Sequence, residues 1–551
     1  MSSTSRKIRI LSVETASLTV LLALLFLTGA PLLALLQLIF FGNLDAEKMN
    51  LAATLKSLFN SIILGGTVIL LASLLALPLA FLRAKTIFKR YNWLDWLILI
   101  PYMTPPYLGS MGWILWLRSG GYLQQLFPII HDPERLFYNF FMLALIMSLH
   151  IYPFLYWSLK EAFFSIGASI EEAATVYGRG TTGERVRLWS PLFVTAWAAS
   201  ALIVFVETVG EFGAPATFGR VIGFPVLTTE IYRKVASWPI NLPYAALLSF
   251  LMLAVVLIVW LSEWKIRQKF SFHLLGGKGH RTQTITLSTV QTILAWMFVI
   301  LLLALSVGIP YSAMLIRSFT RLVGRGLTLD NISLVNYFEI FYLKGTAWKA
   351  FQTSFTLAFG AAFFAVLIGS LVALIIHKRR ALFKPLIEGL ALTPMMIPAI
   401  VWTIGLMIFW NSPSLPFTLY NTPSMMILTY TLLYFPFALQ YVKTSYRRID
   451  PKLFEAALVF QPNALNRFIR ITLPLLFESM LAAFLMTFII SFRELVAALL
   501  ILPPGMQTVS TYIYSQFEQG STGTGMAAAV VSTLITLFIM ILLKKIQKEN
   551  L

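Results

Sequence analysis

Long apolar segments alternate with short polar segments along almost the whole chain. A helix needs about 20 apolar residues to cross the hydrocarbon core of a bilayer, and windows of about that length occur at twelve places. They lie near 16–41, 55–82, 94–117, 138–159, 190–212, 243–262, 290–316, 351–376, 386–410, 424–442, 474–497 and 525–543. The pattern predicts an all-α integral membrane protein with about twelve transmembrane helices.

The basic residues are concentrated in the short loops between these windows. The chain has 551 residues, of which 58% are hydrophobic and 12% charged, with a formal charge of +19. Such a charge in a soluble protein suggests nucleic acid, but basic loops beside apolar spans are typical of a membrane protein, so no nucleic acid is expected. If the amino terminus is cytoplasmic, 29 of the 42 Lys and Arg residues fall on that side. Both termini are therefore predicted to be cytoplasmic.

Several chemistries have no candidate residues. There is no cysteine, and the five histidines lack ligand spacing, so no metal site is expected. No phosphate-binding loop occurs; the glycines at 276–279 read as part of a linker. No set of catalytic residues for hydrolysis is apparent. The chain is not expected to be an enzyme or to hydrolyse ATP by itself.

The two halves of the chain repeat each other. Pro101 and Pro105 match Pro394 and Pro398 at an offset of 293 residues, and Ser61 matches Ser354 at the same offset. Further on the offset is 283, which aligns Glu172 with Glu455 and Glu211 with Glu494. The segment from Val226 to Tyr232 resembles Val509 to Tyr514, with one residue dropped. Six spans per half would make the two repeats parallel in the membrane.

A short acidic-alanine motif occurs once in each half, in the loop after the fourth span of that half. Glu172, Ala173 and Ala174 precede Gly178 and Pro191 in the first copy. Glu455, Ala456 and Ala457 precede Gln461 and Pro474 in the second, with the same 19-residue spacing from Glu to Pro. This resembles the EAA loop of permease subunits in binding-protein-dependent ATP-binding-cassette (ABC) importers. Gln461 departs from the family pattern, which has glycine there.

The resemblance implies a fold, partners and a location. The fold would be that of type I ABC importer permeases, with two six-helix repeats fused in one chain. The EAA loops would dock on two copies of an ABC ATPase subunit, which carry ATP and Mg²⁺, while this chain carries no cofactor. One periplasmic binding protein would deliver the cargo, and Arg220, Arg233, Lys234 and the basic segment 317–349 are candidates for meeting its acidic residues. The chain would lie in the bacterial inner membrane as a multi-pass protein.

The cargo is suggested by a narrower resemblance. The segments 207–215 and 224–232 are similar to the corresponding segments of fused ferric iron permeases, and carboxylates suit a hard trivalent cation. Thiamine, sulfate and polyamine permeases share parts of the layout and remain alternatives. A twelve-helix secondary transporter is the alternative from a different class, although such carriers have no reason to repeat an EAA loop.

Charged residues within spans are candidates for the translocation pathway, because charge is costly in lipid. Glu207 and Glu211 are predicted as an i, i+4 pair on one helical face in span five, and span eleven offers Arg493 and Glu494. Glu211 and Glu494 are expected to face each other across the pore; the alternative is a position at the wet membrane surface. Asp95 and Glu388 are interpreted as ordinary interfacial charges.

The matched prolines Pro101, Pro105, Pro394 and Pro398 are candidate gating hinges, because proline interrupts helical hydrogen bonding. The alternative is that they only shape packing.

The chain is predicted to divide into five parts. These are a tail with the first helix (1–54), a first permease domain (55–263), a linker with the seventh helix and an outer loop (264–348), a second permease domain (349–543) and a tail (544–551).

Overall fold

The computed structural model describes residues 3–42, 50–165, 182–269, 284–378, 382–450, 452–453 and 463–548. These residues are mainly helical, and their one isolated β-bridge joins Thr320 and Ile332. Up to residue 269 the helices are α1 (Ser3–Leu24), α2 (Ala30–Phe41), α3 (Leu51–Lys85), α4 (Trp93–Met103), α5 (Pro106–Leu117), α6 (Tyr122–Leu126), α7 (Pro133–Phe137), α8 (Phe140–Ser165), α9 (Thr182–Gly210), α10 (Leu227–Ala236) and α11 (Leu242–Lys269).

From residue 289 onward the helices are α12 (Thr289–Leu303), α13 (Ile309–Phe319), α14 (Val335–Phe341), α15 (Thr346–His377), α16 (Lys384–Met396), α17 (Ala399–Trp410), α18 (Pro423–Arg448), α19 (Ala464–Arg467), α20 (Leu473–Phe492), α21 (Val496–Ile501), α22 (Val509–Glu518) and α23 (Thr522–Lys548). Single π-helical turns at Leu25–Gly29, Ala304–Gly308 and Phe468–Thr472 join α1 to α2, α12 to α13 and α19 to α20.

The prediction of a multi-span helical membrane protein is confirmed. Among the described residues, ten helical segments are long and apolar enough to cross a membrane, and the bent pair α16 and α17 raises the number to eleven when it is counted as one span. The remaining predicted window, 94–117, is divided between α4 and α5. Two of the twelve predicted spans are therefore broken helices rather than straight ones.

The helices form two compact units that do not follow chain order. One unit contains Met1–Ala46, Lys234–Phe250 and Leu334–Leu551, and the other contains Glu47–Arg233 and Leu251–Ser333. The first span therefore belongs with the second repeat, whereas the seventh span belongs with the first repeat.

A glycine–proline contact explains each of these assignments. In one unit, a Cβ atom placed on Gly112 of α5 would lie 2.6 Å from the carbonyl oxygen of Pro310 in α13. In the other, a Cβ placed on Gly405 of α17 would lie 3.0 Å from the carbonyl oxygen of Pro31 in α2. Gly112 and Gly405 match at the offset of 293, and both prolines lie just after a π-helical turn. Close backbone packing between small positions is a common way for membrane helices to associate.

Polar and aromatic contacts reinforce the same two interfaces. Trp116 donates from Nε1 to the hydroxyl of Ser312 at 3.1 Å, which links α5 to α13. Phe26, in the π-helical turn between α1 and α2, makes an edge-to-face contact with Phe409 of α17, at 5.3 Å between ring centroids. The first and seventh spans, each of which packs with the other repeat, are thus held by specific packing and not by apolar character alone.

In the second repeat, α15 and α18 pack extensively against each other. Ala358, Ala361, Ala362 and Ala365 are fully buried on α15. A Cβ placed on Gly369, one turn further on, would lie 2.7 Å from the backbone nitrogen of Leu439. This stripe of small residues lets the two backbones approach closely, and the core of the repeat forms around it.

We expect Gly112→Val to destabilise the protein, because its new side chain meets the Pro310 backbone, which cannot rotate away. Overpacking of this kind typically costs about 1–3 kcal/mol. The measurement is the thermal unfolding temperature of the detergent-purified chain. Gly109→Val is the matched control on the same helix, since a Cβ there meets no atom within 4 Å. Equal unfolding temperatures for the two variants would contradict the packing described for the seventh span.

Candidate translocation and coupling site

A proline breaks the predicted third span. Helix α4 ends at Met103, and Thr104 and Pro105 are extended, with ψ values of 151° and 138°, before α5 begins. Proline has no backbone N–H and forces the preceding residue into an extended conformation, so the helix cannot continue through this point. Because residue 105 is a proline without an N–H, the carbonyl of Pro101 lacks its usual helical donor. It accepts a hydrogen bond from the Thr104 hydroxyl at 3.0 Å instead.

The same break occurs in the second repeat. Helix α16 ends at Met396, Ile397 and Pro398 are extended, and the axes of α16 and α17 differ by 111°. Of the four predicted hinge residues, Pro105 and Pro398 therefore lie at the breaks, whereas Pro101 and Pro394 lie inside the preceding half-helices. Whether these breaks move as gates stays a prediction.

Two of the predicted pathway carboxylates, Glu211 and Glu494, lie just beyond the end of a long helix. Helix α9 ends at Gly210, and Glu211 accepts hydrogen bonds at Oε1 from the backbone nitrogens of Gly213 (2.6 Å) and Ala214 (3.4 Å). We call residues 211–214 the first carboxylate turn. The prediction that Glu207 and Glu211 share a helical face is wrong, because α9 stops between them.

The second repeat forms an equivalent turn at residues 494–497. Helix α20 ends at Phe492, and Glu494 accepts at Oε1 from the backbone nitrogens of Val496 (3.0 Å) and Ala497 (3.2 Å). Both carboxylates thus cap the start of the segment that follows them, as acidic residues do at helix N-termini. This role was not predicted, and it accounts for a carboxylate at each position without a ligand.

The chain is held against each carboxylate turn by a matched pair of hydroxyl groups. The Thr228 hydroxyl donates to the carbonyl of Glu211 at 2.9 Å, and the Ser61 hydroxyl accepts from the nitrogen of Leu227 at 2.8 Å. In the second repeat, Ser510 donates to the carbonyl of Glu494, and Ser354 accepts from the nitrogen of Val509 at 2.8 Å. The match between Ser61 and Ser354 noted in the sequence is therefore a structural one.

These contacts correct one detail of the internal alignment. Val226 donates its backbone N–H to the hydroxyl of Thr229, and Thr508 donates its own to the hydroxyl of Thr511. Val226 therefore corresponds to Thr508 and not to Val509, and the residue is dropped before this segment. Hydrophobic similarity alone favoured the wrong register by one position.

The two carboxylates differ in their surroundings. The Tyr434 hydroxyl of α18 donates to Glu494, whereas the position matching Tyr434 in the first repeat is Ile151. Both carboxylate groups are half-buried. Of the other predicted pathway residues, Glu207 is exposed in the last turn of α9, and Arg493 is half-buried at the end of α20.

Each carboxylate turn packs against the half-helix that follows the proline break. In the first repeat, the hydroxyls of Ser110 and Thr217 are 2.6 Å apart, and a Cβ placed on Gly213 would lie 2.7 Å from the Cβ of Tyr107. In the second repeat, α17 packs against α21. The break and the carboxylate are therefore parts of one packed assembly in each repeat.

The predicted coupling motifs lie outside the described residues. This applies to the first motif and to the second alike. The residues concerned are Glu172, Ala173, Ala174, Gly178, Glu455, Ala456, Ala457 and Gln461. Their assignment as ATPase-coupling residues stays a prediction.

Asp95 was interpreted as an ordinary interfacial charge, and this was wrong. Arg83 binds it with both Nε (3.1 Å) and Nη2 (2.7 Å), Lys160 lies 3.3 Å away, and the Tyr156 hydroxyl also donates to it. Arg83 and Lys160 are buried, with side chains 4% and 7% exposed. Glu388 in the second repeat likewise pairs with the buried Lys443.

The sequence contains the members of both ion pairs as matched residues, but the acids match at one offset and the lysines at another. Asp95 matches Glu388 at 293, and Lys160 matches Lys443 at 283. Each match on its own is unremarkable among many juxtamembrane charges. Only the fold brings the two members of each pair together.

Some of the basic residues predicted to meet a binding protein have partners within the chain. Arg233 pairs with Glu230 at 2.5 Å, and the Lys234 ammonium lies 4.4 Å from the ring centre of Tyr244. Arg317 is buried and donates to the carbonyl of Thr320 at 2.7 Å. Arg220, Arg321, Arg325, Lys344 and Lys349 are exposed. Exposed rim charges of this kind influence association more than stability.

No group of three or more His, Cys, Asp or Glu side chains with the geometry of a metal site occurs among the residues that the structure describes.

Comparison with protein families identifies the second repeat. Residues 347–549 match the model of the binding-protein-dependent transport system inner membrane component. This range contains α15, the broken pair α16 and α17, the second carboxylate turn and α23.

Comparison with individual proteins extends the similarity to both repeats. The ferric transport system permease protein FbpB of Actinobacillus pleuropneumoniae is 24% identical over 542 residues, covering 96% of this chain and 77% of that protein. A putative ferric transport system permease, FbpB 1 of Haemophilus influenzae, is 24% identical, covering 86% of this chain and 75% of that protein. The putative 2-aminoethylphosphonate permease PhnV of Salmonella typhimurium is 28% identical over 207 residues, covering 38% of this chain and 77% of that protein.

The repeated helix breaks, capped carboxylates and buried ion pairs show that the first repeat is built like the second. The second repeat carries the family's domain, and the similarity to ferric transport permeases spans both repeats. Residues 347–549 belong to the binding-protein-dependent transport system inner membrane component family, and the chain as a whole is similar to ferric transport system permease proteins.

Proposed function

We propose that this chain is the transmembrane permease subunit of an ATP-driven ABC importer. The observation that carries the proposal is the family match of residues 347–549, joined to a first repeat with the same hydrogen-bonded carboxylate turn. A secondary transporter would place its coupling charges deep in the core. Such a carrier also has no reason to repeat an EAA motif, whereas this chain has one copy in each half, and its carboxylates Glu211 and Glu494 accept hydrogen bonds from nearby backbone nitrogens.

The proposed cargo is ferric iron. The supporting similarity is to permeases named for ferric transport, and it extends over 96% of this chain in one case. The chemistry is compatible, because the half-buried carboxylates of Glu211 and Glu494 and the hydroxyl of Tyr434 supply oxygen atoms, which a hard trivalent cation prefers. Each of these three groups already takes part in hydrogen bonds, so they would offer brief contacts and not a trapping site, as transport requires.

The remaining parts of the machine follow from the proposed class. Two ATPase subunits, carrying ATP and Mg²⁺, would dock on the EAA loops from the cytoplasm, where both termini would also lie. One periplasmic binding protein would deliver iron to the opposite face. Lys and Arg residues in the segment 317–349 are candidates for that contact because most of them are exposed.

The cargo is tested by reconstituting the permease, its ATPase subunits and its binding protein in proteoliposomes. Uptake of radiolabelled ferric iron, presented on the binding protein, is measured with excess thiamine, sulfate, spermidine or 2-aminoethylphosphonate as competitors. We expect iron to enter and the competitors to have no effect. A binding protein that ignores ferric iron but binds one of the competitors would contradict the proposed cargo.

We expect Glu172→Lys and Glu455→Lys to weaken the association with the ATPase subunits. Reversing a charge at a docking surface costs roughly the 1.4 kcal/mol that corresponds to a tenfold loss of affinity. Co-purification of the ATPase with the tagged permease is the measurement, and the amount of permease in the membrane should not change. Glu161→Lys, at an exposed position on α8 before the first loop, is the control. Normal co-purification and uptake in the double variant would rule out the coupling role.

Glutamine at both Glu211 and Glu494 separates the charge of the carboxylates from their capping role. The amide oxygen can still accept the backbone hydrogen bonds, so we expect normal assembly but iron uptake lowered about tenfold, which corresponds to roughly 1.4 kcal/mol of lost transition-state stabilisation. Alanine at the same positions should additionally lower the free energy of unfolding by about 1 kcal/mol per lost cap.

The control is Glu339→Gln, which removes an exposed carboxylate outside the two turns. Wild-type uptake in the double glutamine variant would assign both carboxylates to capping alone and end their proposed role in the pathway.

A further inference from the structure

The buried ion pairs of the two repeats join equivalent helices. Asp95 lies on α4 and Lys160 on α8, while Glu388 lies on α16 and Lys443 on α18. Each lysine carries a charged ammonium group on a helix of a membrane protein. Only 7% of the Lys160 side chain and 10% of the Lys443 side chain are exposed. The acids are 19% and 30% exposed, and separating either pair would take a carboxylate away from a buried ammonium group. Each pair therefore helps to hold its two helices together when either moves.

The positions of the pairs along the chain are also equivalent. Each acid lies ten residues before the proline of its break, Pro105 or Pro398. Each lysine lies twelve residues before the glutamate of its EAA loop, Glu172 or Glu455. The ion pair is therefore the polar contact between the helix that leads to the EAA loop and the half-helix that ends at the proline break.

The packing beyond the break continues toward the pathway. In the first repeat, α5 follows the break and contacts the segment after Glu211 through the hydroxyls of Ser110 and Thr217, which are 2.6 Å apart. In the second repeat, α17 follows the break and packs against α21. A displacement of α8 or α18 would thus reach the carboxylate turn through the ion pair, the half-helix and the break in succession.

The two pairs differ in the groups that surround them. Asp95 also binds Arg83 through two hydrogen bonds and accepts one from Tyr156. The positions matching Arg83 and Tyr156 in the second repeat are Ile376 and Leu439, whose side chains form no hydrogen bonds. Tyr156 lies on α8 and therefore adds a second polar contact between α4 and α8, at a position where the second repeat has Leu439. Arg83 lies on α3, so its bidentate contact fixes the Asp95 carboxylate against a third helix.

We propose that Asp95–Lys160 and Glu388–Lys443 are positioning pairs that transmit movement of the EAA loops to the proline-broken half-helices, with the tighter connection in the first repeat. This inference rests on the proposed function, in which ATPase subunits move those loops. The pairs contact no cargo; they act through the half-helices on which the acids lie.

The second pair is tested with introduced cysteines. Because the chain contains no cysteine of its own, the introduced thiols are the only ones in it. Glu388→Cys and Lys443→Cys are introduced together, and the complete importer is reconstituted with its ATPase subunits and ferric-loaded binding protein. Iron transported per ATP hydrolysed is measured before and after linking the two thiols with a bifunctional reagent about as long as the two lost side chains. A covalent link restores the mechanical connection without restoring either charge.

We expect the unlinked variant to transport about five- to tenfold less iron per ATP, the lower range of coupling effects, while ATPase co-purification stays normal. Linking the two thiols should return the amount of iron transported per ATP hydrolysed to within about twofold of the wild-type value. Equal ratios in the linked and unlinked proteins would overturn the proposal. So would a linked protein that stays uncoupled, because the loss would then belong to the charges themselves.

If the cysteine variant fails to assemble, exchanging the two charges of the pair tests the same proposal. Glu388→Lys and Lys443→Glu should each uncouple transport, and the double exchange should restore it. The asymmetry predicts a larger loss for Asp95→Asn than for Glu388→Gln, and an equal or reversed order would contradict it. Absence of ATP-dependent uptake in the wild-type protein would instead refute the proposed function, so the two failures are distinguishable.

Discussion

A helix inside a bilayer can be interrupted only where the protein supplies partners for the backbone groups that the interruption exposes. This constraint governs both repeats. Pro105 removes the donor to the carbonyl of Pro101, and the Thr104 hydroxyl replaces it. At the ends of α9 and α20, Glu211 and Glu494 accept from the nitrogens that begin the next segment. The positions of the proline and carboxylate residues follow from this requirement before any cargo is considered.

The repeats satisfy the constraint with the same positions but different strength. The first repeat surrounds its half-buried acid, Asp95, near the start of the broken span with Arg83, Tyr156 and Lys160. The second repeat gives its capping carboxylate an extra donor, Tyr434. A fused chain can vary the two halves independently in this way, which a permease assembled from two identical chains cannot.

Much of the fold could be predicted from the sequence because it depends on local patterns. Apolar windows gave the spans, and the paired prolines marked where two of them break. The exchange of the first and seventh spans could not be predicted, because it depends on the fit of Pro31 to Gly405 and of Pro310 to Gly112. The proline and glycine of each contact are far apart in the chain, and neither proline nor glycine is distinctive in a membrane helix.

The candidate site was predicted in part for the same reason. Glu211 and Glu494 were found as matched carboxylates, but periodicity extended α9 past Gly210 and placed Glu207 and Glu211 on one face. The true helix end depends on backbone hydrogen bonds that a hydrophobic pattern does not encode. The ion pairs escaped notice because the acid and the lysine of each pair lie on different helices, aligned by different offsets.

The central claim is that this permease is powered by ATP on partner subunits and not by an ion gradient. The most direct measurement is uptake of ferric iron from its binding protein into proteoliposomes holding the complete importer, with ATP sealed inside or omitted, and with or without ionophores that collapse proton and sodium gradients. The account predicts uptake that requires ATP and is unchanged by the ionophores. Uptake that persists without ATP and is abolished by the ionophores would contradict it.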